Sequence, residues 1–161
     1  MELLDLALSL EEDLQKFYQE QAKLHEGNSL HTVFCLLEQE EINHARILRS
    51  YQEDLSIPLS ETDILRNVQS IFKEMKDFKN VIKEIPSQLD VYRMALEKEE
   101  ESLQFYTELR DKAKEESSKK LFSYLMKQED KHCIILEELV KLVNRPEEWV
   151  ESAEFGLREE Y

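Results

Sequence analysis

A pattern that occurs twice constrains this chain more than any other feature. Gln39-Glu40-Glu41-Ile42-Asn43-His44 holds a Glu and a His three residues apart, and Gln128-Glu129-Asp130-Lys131-His132 repeats that core. On a helix, positions i and i+3 share a face, so a carboxylate and an imidazole so placed can hold one metal ion together. A single Glu-x-x-His arises by chance in Glu-rich helices, but the segments upstream of each copy make the pair specific. Glu11 is followed seven residues later by Tyr18, with Phe17 just before it, and Glu99 leads to Phe105-Tyr106 at the same spacing. Glu11 lies 30 residues before Glu41, and Glu99 lies 30 before Glu129. Thus Glu11, Tyr18, Glu41 and His44 recur as Glu99, Tyr106, Glu129 and His132 at a constant offset of 88. A helix pair is duplicated. The two copies supply four carboxylates and two imidazoles, the ligand set of a dinuclear metal site inside a four-helix bundle.

The length of 161 residues suits one domain with a sizeable core. Two Gly, three Pro and 35% charged residues disfavour a sheet protein, which needs turn residues in quantity, and favour long helices. A net charge of −15 argues against nucleic acid and against an anionic membrane surface, and favours cations. Cys35 and Cys133 are too few for a disulfide framework and form no Cys-x-x-Cys, so they are read as small buried hydrophobes. Met1-Glu2 opens acidic and no signal peptide is expected. No apolar run approaches the roughly 20 residues of a membrane span. The expectation is a soluble cytoplasmic protein.

Periodicity then predicts the elements. A helix from about Leu3 to Leu24 carries the stripe Leu4, Ala7, Leu8, Leu14, Tyr18 and Ala22, with Glu11 where an apolar residue is expected. A carboxylate on a core face needs a proton, a cation or hydrogen bonds. Gly27 is the natural C-cap, and Asn28 or Ser29 the next N-cap. A second helix, from about Leu30 to Glu53, places Glu41 and His44 between Leu37 and Leu48. The crossover 55–88 lies between Pro58 and Pro86 and contains its own helical stripe, Ile64, Val68, Ile71, Phe72 and Met75, after Ser60-Glu61-Thr62-Asp63. A third helix, about Leu89 to Lys114, has Ser87 and Asp90 as candidate caps and Glu99 interrupting its stripe. A fourth, about Ser118 to Val143, is interrupted by Glu129 and His132. Helices of about 22 residues span roughly 33 Å, so the four breaks can meet in one central layer. A tail 144–161 is expected to hold a short helix that begins at Pro146 and ends at Gly156. Its Trp149 and Phe155 need a covering surface, either this bundle or a second subunit. The predicted fold is all-α: a single domain over 1–161, with helix pairs 3–53 and 89–143, a long crossover and a short tail.

Within such a site Glu11 and Glu99 are expected to bind one metal each terminally. Glu41 and Glu129 bridge the two, and His44 and His132 complete one metal each. Four carboxylates offset the charge of two divalent ions. The mixed oxygen and nitrogen set suits iron or manganese, and zinc would also bind. Tyr18 and Tyr106, two turns after a ligand Glu, either hydrogen-bond a ligand carboxylate or simply pack. His25 and His31 lie off the pattern near helix ends and are read as surface residues.

The pattern Glu11…Phe17-Tyr18, Glu41-x-x-His44, Glu99…Phe105-Tyr106 and Glu129-x-x-His132 resembles the rubrerythrin branch of the ferritin-like di-iron carboxylate proteins, over Leu3 to about Val143. The tail is also similar to that of short rubrerythrin-like proteins. The resemblance implies a ferritin-like four-helix bundle with two iron ions on those six residues. It implies either reduction of hydrogen peroxide, an oxidoreductase activity, or ferroxidase and iron-handling activity. A non-redox bundle holding zinc is the bland alternative. Two departures stand out. Rubrerythrins carry a four-Cys rubredoxin domain, which has no counterpart in this sequence, so the electron donor is expected to be a separate rubredoxin-like protein. They also carry an additional Glu one turn after the third-helix ligand, where this chain has Ser102, while Glu100 and Glu101 point to other faces. A homodimer, with or without exchange of helix pairs, is expected.

Overall fold

The apolar stripes set where the helices run. The computed structural model describes residues 2–56, 58–75 and 88–155. Among these, the elements are α1 (Glu2–Leu24), α2 (Leu30–Gln52), α3 (Ile64–Glu74), α4 (Gln88–Lys112) and α5 (Glu116–Phe155), with no strand. The fold is an all-α bundle of the ferritin-like kind. Helix α1 packs on α2 and α4 on α5, and the two hairpins meet through α1 and α4. Helix α3 lies across α5 and touches α2.

Local chemistry accounts for the turns. Gly27 adopts φ 95°, the left-handed conformation that ends α1. The Asn28 side-chain oxygen then accepts from Leu30 N at 3.0 Å and starts α2. At the far end of α2 the left-handed residue is Asp54, φ 58°, and Leu55 N donates back to Ser50 O at 2.8 Å. The crossover begins as predicted: Asp63 occupies the N-cap position of α3, which buries Ile64 and Val68. Its approach is pinned to α5 by Tyr124 Oη donating to Ser60 O (2.6 Å) and by Lys131 Nζ on Glu61 and on the Thr62 carbonyl (both 3.3 Å).

The core forms two apolar clusters with a polar layer between them. One holds Leu14, Tyr18, Phe34, Leu37, Tyr92, Ile135 and Leu136 among others. The second holds Leu4, Ala7, Ile47, Leu48, Tyr106, Phe122 and Leu125. On every long helix, residues of metal-ligand type are buried where the two clusters meet.

One expected boundary is corrected. No separate tail helix begins at Pro146, because α5 continues through it to Phe155. A proline in a helix interior removes one backbone hydrogen bond and costs about 3 kcal/mol, which disfavours a helix without forbidding it. The Glu-rich stretch that follows favours continuation. The expected features at Pro86, Ser87 and Gly156, and the packing of the Trp149 and Phe155 side chains, lie outside the described residues.

Candidate metal centre

Each long helix delivers its share of the polar layer from mid-length. Glu11 on α1, Glu41 and His44 on α2, Glu99 on α4, and Glu129 and His132 on α5 are all at most 1% exposed. Burial of the flanking apolar turns forces them inward, since each lies in register with its helix's stripe.

The imidazoles organise the geometry. His44 Nδ1 lies 2.9 Å from Glu11 Oε2 and 2.9 Å from Glu129 Oε1. His132 Nδ1 lies 2.8 Å from Glu41 Oε1 and 3.1 Å from Glu99 Oε2. The two rings stack with centroids 5.4 Å apart and planes 11° from parallel. The side chains form two tetrads, Glu11/Glu41/His44/Glu129 and Glu41/Glu99/Glu129/His132, and a third group, Glu40/His44/His132, each with ligand atoms within 4.8 Å of one another. The tetrads share Glu41 and Glu129, the two residues expected to bridge. All six predicted residues are thus brought together.

The donor set fits metal ions. Glu11 Oε1, Glu41 Oε2, Glu99 Oε1 and Glu129 Oε2 are buried without a hydrogen-bond donor. Burying an acceptor without a partner costs on the order of 1–3 kcal/mol, so several on one layer need a common cationic partner. Two divalent ions would supply the charge and the coordination that protein donors do not.

The rubrerythrin family model matches residues 2–149. This chain belongs to the rubrerythrin family. No curated protein and no solved structure matches the chain. Iron is the usual metal of this ferritin-like family, and the two tetrads of this chain are able to hold metal.

Without a bound ion, burial or the neighbouring carboxylates favour the protonated forms of several groups in the centre. Burial raises the Glu41 carboxyl well above the ordinary range, reinforced by the charges of Glu11 and Glu99. Burial and the same two neighbours raise Glu129. Burial opposes charge on His132 too, but the Glu99 and Glu41 carboxylates outweigh it and push that imidazole well up. Glu99 takes the negative charge: burial resists it, yet His132 and hydrogen bonds from Glu129, His132 and Tyr18 hold its carboxyl down at about 2. Metal binding therefore has to displace protons.

The tyrosines divide. Tyr18 Oη donates to Glu99 Oε2 at 2.6 Å, across the bundle rather than to Glu11 on its own helix. Tyr106, its repeat counterpart, is fully buried with an unpartnered hydroxyl. Ser102 is fully buried, and its Oγ has no partner. The position where the sequence resemblance implies an extra carboxylate thus carries a small hydroxyl in the interior.

Sequence reasoning missed Glu40. Its Oε1 accepts from His132 Nε2 at 3.2 Å, on the side of the ring away from the tetrad. Glu40 lies about 100° around α2 from Glu41, and among 36 acids it looks like any solvated residue. The available signal was its place beside Glu41, matched at the offset of 88 by Gln128 beside Glu129.

The reading of His25 and His31 as surface residues is corrected. His25 is fully buried and stacked on Phe34 at 5.4 Å. Its Nδ1 accepts from Asn28 Nδ2 (3.3 Å), so Nε2 carries the hydrogen and donates to Tyr92 Oη (3.0 Å). Burial lowers its pKa and keeps it neutral. The Gly27 turn folds this residue under the start of α2, which a local reading places outside. His31 is half-buried; its Nδ1 donates to Ala22 O (2.7 Å) and its Nε2 accepts from Cys35 Sγ (3.5 Å). Cys133 is buried as expected, whereas Cys35 is only half-buried.

Proposed function

We propose that this chain is a di-iron protein that reduces hydrogen peroxide to water, using electrons from a donor outside these 161 residues, such as a rubredoxin-like protein. The observation that carries the reading is the pair of buried tetrads sharing Glu41 and Glu129. Glu11 and Glu99 would each hold one iron terminally, Glu41 and Glu129 would bridge, and His44 and His132 would each complete one ion through Nδ1. A bound iron pair supplies the two electrons that, with two protons, convert one H2O2 into two waters.

The protein's own groups support that chemistry. The apolar clusters on either side of the layer exclude bulk water, which strengthens every charge interaction within it. Tyr18 fixes the orientation of Glu99 through its hydroxyl. Glu40 is 12% exposed, the least buried carboxylate touching the centre's imidazoles, and its hydrogen bond joins His132 Nε2 toward solvent. It is the natural group through which protons reach the interior.

The test starts with elemental analysis of the iron-reconstituted protein beside a Glu41→Ala/His132→Ala variant. Two irons per chain, absent from the variant, followed by rapid reoxidation of the reduced protein by stoichiometric peroxide, is the expected result. No turnover above that of free iron removes the peroxidase reading. Uptake of Fe(II) far beyond two ions per chain would replace it with an iron-storing ferroxidase.

A homodimer belongs to the same proposal, supported by the apolar side chains of Leu6, Leu24, Leu55, Leu59 and Met94, which a single copy leaves exposed. Light scattering should return twice the 19.2 kDa chain mass.

A further inference from the structure

The two halves of the centre differ in what stands behind each histidine. The offset of 88 that relates the halves pairs Glu40 with Gln128. Glu40 extends from α2 to the opposite hairpin, where its Oε1 accepts from His132 Nε2 at 3.2 Å. With Nε2 carrying the hydrogen, His132 Nδ1 is left to face Glu41 and Glu99.

His44 makes no such hydrogen bond, although a ring nitrogen of it lies within 4.8 Å of ligand atoms of Glu40 and His132. Among the described residues its hydrogen bonds run through Nδ1 alone, to Glu11 and Glu129. Gln128, the counterpart of Glu40, is fully buried; its Oε1 accepts from Thr62 at 3.4 Å and its Nε2 has no partner. Even turned toward His44, an amide would bring no charge. A carboxylate on the far nitrogen of a ligating imidazole fixes its tautomer, holds the ring in place and raises its basicity as a donor.

We propose that Glu40 makes the two metal positions inequivalent, so that the ion held by Glu41, Glu99, Glu129 and His132 binds first and more tightly than the ion held by Glu11, Glu41, His44 and Glu129. The inference rests on the reading that these six residues hold two ions. Glu40 is a positioning residue here: it acts through His132. The inequivalence comes from the chain itself, from a Glu in one half where the other half has Gln.

The experiment is an anaerobic titration of the metal-free full chain with Co(II), followed by its visible absorption and by chelator competition. The wild type should bind two ions in two resolved steps. Glu40→Gln should weaken the first step by about 10–100-fold and shift its absorption bands, leaving the second step unchanged. Gln128→Glu should tighten the second step toward the first. Unchanged constants in Glu40→Gln, or equal weakening of both steps, overturns the proposal. A third Co(II) in the wild type that Glu40→Gln loses also overturns it, by making Glu40 a ligand together with the outer ring nitrogens. No Co(II) binding by the wild type would instead remove the metal-centre reading itself.

Discussion

Tyr18 and Tyr106 occupy matching places in the two repeats, yet they do different things. Tyr18 donates a charge-assisted bond to Glu99, while the hydroxyl of Tyr106 is buried and idle. In the metal-free protein, Tyr18→Phe should cost about 1.5–3 kcal/mol by urea unfolding, since it strips a donor from an ionised buried carboxylate. Tyr106→Phe should be neutral or slightly stabilising in the same measurement. Equal losses would mean that the rings act by packing alone. Glu41 carries the opposite tension, with Oε2 buried and unpartnered and Oε1 facing only His132 Nδ1 at 2.8 Å. Glu41→Leu should therefore raise metal-free stability by about 1–3 kcal/mol while removing bound metal. A loss of stability would show that the His132 contact outweighs the cost of burying the Glu41 carboxyl.

Helix ends carry the strain at the scale of elements. Gly27 sits at φ 95° with nothing within 4 Å of where a Cβ would lie, so a side chain there meets only the backbone penalty. Gly27→Ala should cost about 1 kcal/mol, and Asp54→Gly, at φ 58°, should recover a fraction of that. Thermal unfolding of both variants checks the pair. Helix α3 and the segment before it have a different task. Tyr124, Lys131 and Gln128 on α5 hold residues 60–62 against the outer edge of the centre, beside Glu40 and His132. The crossover thus does more than return the chain, since it supplies part of the wall around one histidine. Among the described residues no helix is long and apolar enough to cross a membrane.

The whole metal-free molecule is a compromise that metal should relieve. Glu41 and Glu129 keep their protons in the folded state beyond the ordinary carboxylate range, whereas the unfolded chain releases them there. Rising pH therefore favours the unfolded state through these two groups. The raised His132 contributes stability below the ordinary imidazole pKa that is lost as pH climbs through its folded value. Glu99 runs the other way: held at about 2, it contributes stability above the ordinary carboxylate range that is lost only in acid. From about pH 5 to 8 the metal-free melting temperature should fall while metal affinity rises, because fewer protons remain to be displaced. Calorimetry of both forms across that range should show the gap between them widening with pH. A constant gap would mean that metal binding releases no protons.

Much of this was legible in the chain because it is periodic. Helical stripes repeat every 3.6 residues, and the duplication placed six ligand-type residues in matching gaps, so local spacing alone predicted the four long helices and the six side chains of the central layer. What lay beyond it depends on which helix stands opposite. Glu40 meets His132 across 92 residues and Tyr18 meets Glu99 across 81, and no periodicity on either helix encodes those encounters. His25 is interior only because the Gly27 turn tucks it against Phe34 and Tyr92. The continuation of α5 through Pro146 likewise overrides a strong local signal. Sequence by itself determined the symmetric set of ligand-type residues, since a repeat copies residue types and spacings. Only the tertiary structure decided how the symmetry is broken, because hydrogen bonds between helices depend on packing in three dimensions.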